Sequence, residues 1–152
     1  LGFRIPENFN APYLKRNIAL FWNNWHMTLT GWIRNYCFNP LTRSLRKKKL
    51  PQWLMILVGQ LVTMILIGLW HGVTVNFLIW GVWNALALFV HQVYADRLGK
   101  RVHSYLESRK VIRGAYAFFA TSLTFNIVSF SWVFFTLPSF DLALTFIHRL
   151  FS

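Results

Sequence analysis

The sequence predicts an all-α integral membrane protein, a helical bundle with about three transmembrane helices and one interfacial or re-entrant amphipathic helix. Of its 152 residues, 55% are hydrophobic and only 13% are charged. A soluble domain of this size has too little interior to hide so much apolar surface, so lipid is its expected solvent. No Asp, Glu, Lys or Arg occurs from 50 to 95 or from 114 to 140. We therefore treat residues 1–152 as a single membrane domain.

The basic residues cluster in two segments beside the uncharged stretches. The chain has 16 Lys and Arg against 4 Asp and Glu, with six basic residues in 34–49 and six more in 97–113. This alternation predicts a bacterial cytoplasmic (inner) membrane protein whose basic loops, 43–49 and 97–113, face the cytoplasm and bind anionic lipid of the bilayer. Nucleic acid is not an expected partner, because the charges do not form one face of a folded domain.

The first predicted element is an amphipathic helix over residues 18–38, with Asn17 as its N-cap and Pro40 as its end. Apolar residues recur in steps of three and four, the spacing of one helical face: Ile18, Phe21, Trp22, Trp25, Leu29, Trp32, Ile33 and Tyr36. The opposite face holds Asn23, His26, Thr30 and Arg34. Tryptophan prefers the headgroup region, so this helix is expected to lie at the membrane interface or to re-enter the membrane.

Three spans follow, over residues 51–70, 73–94 and 114–137, and an amphipathic tail helix covers 139–151. Each span can cross roughly 30 Å of hydrocarbon. The turn after residue 70 is so short that the first two spans form either a helical hairpin or one long, broken helix. The hairpin would place His71 at its far end, where Gly68 and Gly72 let backbones approach.

Polar residues form two short stripes on the spans. Each stripe either bonds neighbouring helices or lines a substrate path. The stripes are Asn76, Asn84 and His91 on the second span and Ser122, Asn126 and Ser129 on the third.

His71 is the strongest candidate for a functional side chain, because an ionisable group is costly inside a membrane. An apolar environment favours the neutral imidazole, which is the state that a general base needs. No carboxylate lies in the spans, so a Ser-His-Asp relay or a carboxylate-rich metal site is not expected. The single Cys37 allows no disulfide within the chain and has no metal-ligand spacing. From the residues alone, a catalytic and a structural role both stay open for His71.

Two segments, FWNNWHMTLTGWIRNYCFNPL from residue 21 and LIGLWHGVTVNFLIWG from residue 66, resemble the membrane-bound O-acyltransferase family. The bacterial branch with alginate O-acetyltransferases and teichoic-acid D-alanyl transferases is the most similar. In that branch a W-H-(I/M)-(S/T)-L-(S/T)-x-(W/F)-(L/I)-R-(D/N)-Y motif precedes G-L-W-H-G. The first motif is present at residues 25–36 and the second at 68–72. The similarity covers nearly the whole chain but only the C-terminal part of the family's members.

The resemblance implies an enzyme that moves an acyl group, expected to be acetyl, from a thioester-type donor in the cytoplasm. The acceptor is a hydroxyl of a polysaccharide or another molecule outside, and neither a bound cofactor nor a metal is implied. His71 matches the family's catalytic histidine, expected to act as the general base, and His26 matches a second motif histidine with a supporting role. Four further candidates for the substrate tunnel are Trp70, Asn76, Trp25 and Arg34.

Two departures from the family limit these expectations. The branch shows a Y-I-P-L-G-G sequence where this chain has FNPLTR at residues 38–43, and the loss of two glycines alters the backbone path there. Family members are also longer, so additional N-terminal spans or other membrane subunits are expected to complete the bundle. An alternative is a truncated, inactive structural or adaptor subunit of a larger membrane complex. A small lipid-binding or transport accessory protein is a third possibility.

Overall fold

The computed structural model describes residue 2 and residues 5–152. Within these residues the chain is built of helices joined by short turns and contains no strand. Three helices of this described part are long and apolar enough to cross a membrane: Gln52–His71, Val75–Glu107 and Lys110–Thr136. The prediction of an all-α membrane bundle is confirmed.

The helices follow one another with few residues between them. They are α1 (Ile18–Asn24), α2 (Met27–Ile33), α3 (Asn39–Lys47), α4 (Gln52–His71), α5 (Val75–Tyr94), α6 (Lys100–Glu107), α7 (Lys110–Thr136) and α8 (Phe140–Phe151). A π-helical turn at Arg34–Phe38 joins α2 to α3, and a second at Ala95–Gly99 joins α5 to α6. A 3₁₀ turn at Pro12–Leu14 precedes α1.

The predicted single helix over residues 18–38 is instead broken at Trp25 and His26, and it does not end at Pro40. Asn17 is the N-cap as expected, since its Oδ1 accepts a hydrogen bond of 2.8 Å from the Leu20 N–H. The chain continues in helical form past Pro40 to Lys47. A proline ring clashes with the carbonyl four residues earlier, and the wider π-helical turn immediately before Pro40 accommodates it.

The two basic segments, predicted as loops, are largely helical. Residues 43–47 belong to α3, and α6 occupies the middle of the 97–113 segment. Lys and Arg are good helix formers, so a basic composition does not by itself indicate a loop.

α4 and α5 pack against each other as a hairpin, which decides between the two alternatives left by the sequence. A Cβ at Gly68 would collide with the Phe77 carbonyl oxygen, and a Cβ at Gly81 would lie 2.7 Å from the Met64 carbonyl oxygen. These two glycines therefore allow the helices to approach. Gly72 instead lies against the ring of Phe77.

The core lies where α1, α5 and α7 meet. Phe21 and Trp22 of α1 are buried, and the Trp22 ring packs edge-on against Trp80 of α5 with centroids 5.6 Å apart. This part of the predicted interfacial stripe therefore contacts protein, whereas Trp32 and Tyr36 remain exposed.

Candidate functional site

His71 is the last residue of α4 and faces a cavity of about 540 Å³. Its ring lies edge-on to Phe135 of α7, with centroids 4.8 Å apart, and edge-on to its neighbour Trp70 at 4.7 Å. The side chain keeps an exposed surface rather than being enclosed. Among the residues that the structure describes, no carboxylate forms an ion pair with it. Packing, rather than an ionic partner, therefore sets the orientation of this imidazole.

His26 lies in the break between α1 and α2 and adopts a left-handed backbone conformation, with φ 48° and ψ 51°. This conformation costs a residue with a Cβ about 1–2 kcal/mol, so surrounding contacts must hold it. The His26 ring packs against Phe9 at 5.6 Å and against Trp70 at 6.3 Å between centroids. Its Nδ1 is buried and has no hydrogen-bond partner within the described part of the chain.

The two histidines line the same cavity, although 45 residues separate them in the sequence. Its walls are mainly aromatic: Tyr13, Trp22, Trp25, Trp80, Trp132 and Phe135. Thr30 and Thr136 also line the cavity. The Thr30 hydroxyl donates to the carbonyl of Trp25, in the break before α2, and the Thr136 hydroxyl donates to the carbonyl of Trp132 in α7. An apolar pocket with a few convergent polar groups is the usual form of a small-molecule site.

Three indole N–H groups around this cavity have no acceptor within residue 2 and residues 5–152. They belong to Trp22, Trp80 and Trp132. Buried donors are nearly always paired in folded proteins, so each unpaired one needs an explanation, and a catalytic or binding role is one of them. The wall of the cavity therefore contains more unpaired hydrogen-bond donors than an ordinary protein core does.

A second cavity, of about 220 Å³, adjoins the first along α4. The two share Trp22, Thr30 and Ile67 as lining residues. The second cavity extends toward Gln60, which is 11 residues before His71 and thus about 16 Å nearer to the start of α4. The two cavities thus lie next to each other beside α4, between its middle and His71.

The structure separates the four residues predicted to line a tunnel. Trp25 lines the cavity with both histidines, whereas Arg34 lines the second cavity and donates a hydrogen bond to Asn23. Trp70 is largely exposed and does not line the cavity. Successive helical residues point about 100° apart, so Trp70 faces away from the direction in which His71 points. Asn76 lies outside both cavities and is buried, and its Nδ2 donates a 2.8 Å hydrogen bond to the Leu137 carbonyl.

The other two asparagines of the polar stripes donate hydrogen bonds within their own helices. Asn84 donates to the Trp80 carbonyl, and the exposed Asn126 donates to the Ser122 carbonyl. Asn76 is thus the stripe amide that joins two helical elements, here the start of α5 and the end of α7.

Comparison with known proteins identifies the family. The profile of MBOAT, the membrane-bound O-acyltransferase family, matches residues 1–137. The chain belongs to this family. A peptidoglycan O-acetyltransferase of Helicobacter pylori is 34% identical over 144 residues, which is 94% of this chain and 24% of that protein. A probable alginate O-acetylase, AlgI, of Pseudomonas syringae is 34% identical over 152 residues, 100% of this chain and 26% of the relative.

A teichoic acid D-alanyltransferase of Bacillus subtilis is 30% identical over 138 residues, which is 90% of this chain and 33% of that protein. The chain thus spans between a quarter and a third of the length of these O-acyltransferase relatives. The resemblance to this bacterial branch, first indicated by the two motifs, is confirmed.

Sequence reasoning missed most of the aromatic wall in this O-acyltransferase segment. Trp22, Trp80 and Trp132 converge from α1, α5 and α7. With 15 Phe and 8 Trp in the chain, no single aromatic residue is distinguished by composition. Trp22 is only four residues before His26, but the break between α1 and α2 means that helical spacing does not bring these two residues together.

Proposed function

We propose that this chain carries the acyl-transfer site of a membrane-bound O-acyltransferase. The observation that supports this most strongly is that His26 and His71, each in a family motif, line one aromatic-walled cavity. A hydroxyl acceptor and an acyl donor bound there would meet beside the His71 imidazole, between mainly aromatic walls.

In the proposed reaction, the His71 imidazole takes the proton of the acceptor hydroxyl while the oxygen of that hydroxyl attacks the acyl carbonyl carbon. The tetrahedral intermediate collapses with cleavage of the carbon–sulfur bond of a thioester donor. The imidazolium then returns the proton to the departing sulfur, so the products are an ester and a free thiol. His26 has a supporting role, contacting the acyl group or its carbonyl oxygen from the other side of the cavity.

The direction of transfer follows from the basic segments. α4 begins beside α3, which carries Arg43, Arg46 and Lys47, and it rises about 30 Å to His71. The positive-inside rule places the basic helices in the cytoplasm, against anionic lipid of a bacterial inner membrane. The donor would then enter from that side through the second cavity, and the acceptor would reach His71 from the opposite side.

The relatives' names suggest the acceptor class. They concern peptidoglycan, alginate and teichoic acid, which are all extracytoplasmic polymers, and two of the three name O-acetyl transfer. We therefore propose a hydroxyl of a polysaccharide or another extracytoplasmic polymer as the acceptor and acetyl as the acyl group. Additional spans or other membrane subunits would complete the walls around the two cavities.

The test is acyl transfer by membranes that contain the full-length gene product with His71→Ala. Loss of the base should lower the rate by about 10²- to 10⁴-fold, and His26→Ala should lower it less. His103→Ala is the matched control, because His103 is exposed on α6 and pairs with Glu107 at 3.1 Å. A His71→Ala protein as active as His103→Ala would refute the proposal.

The exposed aromatic surface favours a second candidate function, that of a structural or adaptor subunit. Phe118, Phe119 and Leu123 of α7 are all more than half exposed and could pack against other membrane helices. This function does not use the histidines. It would be favoured if His71→Ala left transfer intact while substitutions on this face of α7 dissociated a complex.

A further inference from the structure

The turn that presents His26 is held by a segment of the chain that precedes α1. No side chain of the turn itself caps α2, since His26 occupies the N-cap position without a side-chain hydrogen bond. The first N–H groups of a helix have no intrahelical acceptor and need one from elsewhere. In this chain Asn8 supplies it.

Asn8 contacts the start of α2 through three hydrogen bonds. Its main-chain carbonyl accepts from the Met27 N–H at 2.9 Å. Its side-chain Oδ1 accepts from the Thr28 N–H at 3.0 Å and from the Thr28 hydroxyl at 2.7 Å. One side-chain oxygen thus acts as the N-terminal cap for a helix that begins about twenty residues later.

The same segment holds the other side of the turn. The Asn10 N–H donates a 3.0 Å hydrogen bond to the Asn24 carbonyl, at the end of α1. Between these two points, the Phe9 ring packs edge-on against Trp25, with centroids 5.0 Å apart, and lies tilted against the His26 ring at 5.6 Å. Residues 8–10 therefore clamp both flanks of His26 and cover its ring.

We propose that Asn8 is a positioning residue for acyl transfer, whose carboxamide fixes the left-handed His26 turn and so directs the His26 ring into the cavity that it shares with His71. This inference rests on the proposed function. A residue with a Cβ leaves the left-handed conformation readily once its flanking hydrogen bonds are lost. Without the cap, His26 would sample other orientations, and the acyl group would lose the contact that His26 makes with it during transfer.

The test compares Asn8→Ala, Asn8→Asp and Asn10→Ala in the full-length gene product. Aspartate keeps an oxygen at the Oδ1 position and adds a charge that is favourable at a helix N-terminus, so it should preserve transfer. Asn8→Ala should lower kcat by roughly tenfold or more, as expected for a misplaced group, while KM for the donor changes by less than about threefold. Asn10→Ala is the matched control, because Asn10 contributes a main-chain bond that alanine retains.

A second readout reports the orientation of His26 directly. Nuclear magnetic resonance of protein with isotope-labelled histidine gives a ring signal for His26, assigned with His26→Gln. This signal should shift or broaden in Asn8→Ala, recover in Asn8→Asp and stay unchanged in Asn10→Ala. If Asn8→Ala does not accumulate in membranes, Thr28→Val removes the hydroxyl donor alone and should produce a smaller change of the same kind.

An Asn8→Ala protein, or in its place Thr28→Val, with wild-type kcat and an unchanged His26 signal would overturn the inference. The same assay includes His71→Ala. If that protein is inactive while Asn8→Ala is fully active, only the role of Asn8 is refuted. If His71→Ala remains active, the proposed function itself fails.

Discussion

The ring of His71 lies edge-on to that of Phe135, with centroids 4.8 Å apart, and this contact joins the end of α4 to α7. No ionic partner orients His71 within the described residues, and Phe135 is the nearest aromatic ring that packs on it from another helix. Replacing Phe135 with leucine should lower the rate of acyl transfer by roughly tenfold, because small misplacements of catalytic groups are costly.

Phe118→Leu provides the control for this substitution, since Phe118 lies on the same helix but is 69% exposed. Transfer rates of the full-length gene product, normalised to the amount of protein in the membrane, give the comparison. Equal rates for the two leucine variants would show that the contact with Phe135 does not position His71.

Gly81 allows α5 to approach α4, so alanine at this position should destabilise the hairpin. The added Cβ would lie 2.7 Å from the Met64 carbonyl oxygen and 2.9 Å from the Ile65 Cα, both in the backbone. Such overpacking costs about 1–3 kcal/mol. Gly114→Ala in α7 is the control, because a Cβ there meets nothing within 4 Å.

Thermal unfolding in detergent should therefore give a lower midpoint for Gly81→Ala than for wild type. Gly114→Ala should be equal or slightly higher, as alanine is the better helix former. If Gly81→Ala unfolded at the same temperature as Gly114→Ala, this result would contradict the close packing of α4 against α5 at Gly81.

Asn76 was a candidate tunnel residue from the sequence, but its hydrogen bond to the Leu137 carbonyl predicts a structural effect. Asn76→Ala should lower the free energy of unfolding by about 1 kcal/mol, the usual scale for interhelical bonds in membranes. Asn126→Ala should have little effect, because Asn126 is exposed and bonds its own helix. A normal unfolding midpoint combined with a large change in donor KM for Asn76→Ala would support the tunnel role instead.

The orientation in the membrane can be tested by labelling with a membrane-impermeant maleimide. In a Cys37→Ser background, Lys48→Cys reports on the basic end of α3 and Val73→Cys on the α4–α5 turn, where Val73 is 88% exposed. Intact spheroplasts should label Val73→Cys, whereas Lys48→Cys should react only after lysis. Labelling of Lys48→Cys in intact spheroplasts would place the basic segments outside the cytoplasm.

The sequence predicted an all-α bundle with three membrane-spanning helices, because hydropathy and the absence of charge act locally along the chain. The span expected over 51–70, for example, is α4 at Gln52–His71. The break at His26 could not be predicted in this way. A left-handed residue other than glycine has no compositional signal, and this one is held by Asn8, whose contacts with Thr28 cross 20 residues of sequence.

The cavity shows the same division between local and distant effects. The motifs singled out His26 and His71, but their meeting depends on how α1, α4, α5 and α7 pack. Trp22 was assigned to a membrane-facing stripe because periodicity identifies an apolar face without identifying what covers it. In the structure that residue is buried against Trp80.

The central claim is that acyl transfer takes place in the cavity shared by His26 and His71. An electron cryo-microscopy structure of the full-length gene product tests this claim most directly, with a bound donor analogue that is an unreactive ketone, in which a methylene separates the sulfur from the carbonyl. We expect the analogue's carbonyl group to lie in this cavity, within about 4 Å of the His71 ring. An analogue bound elsewhere, with its carbonyl beyond the reach of both histidines, would contradict the claim.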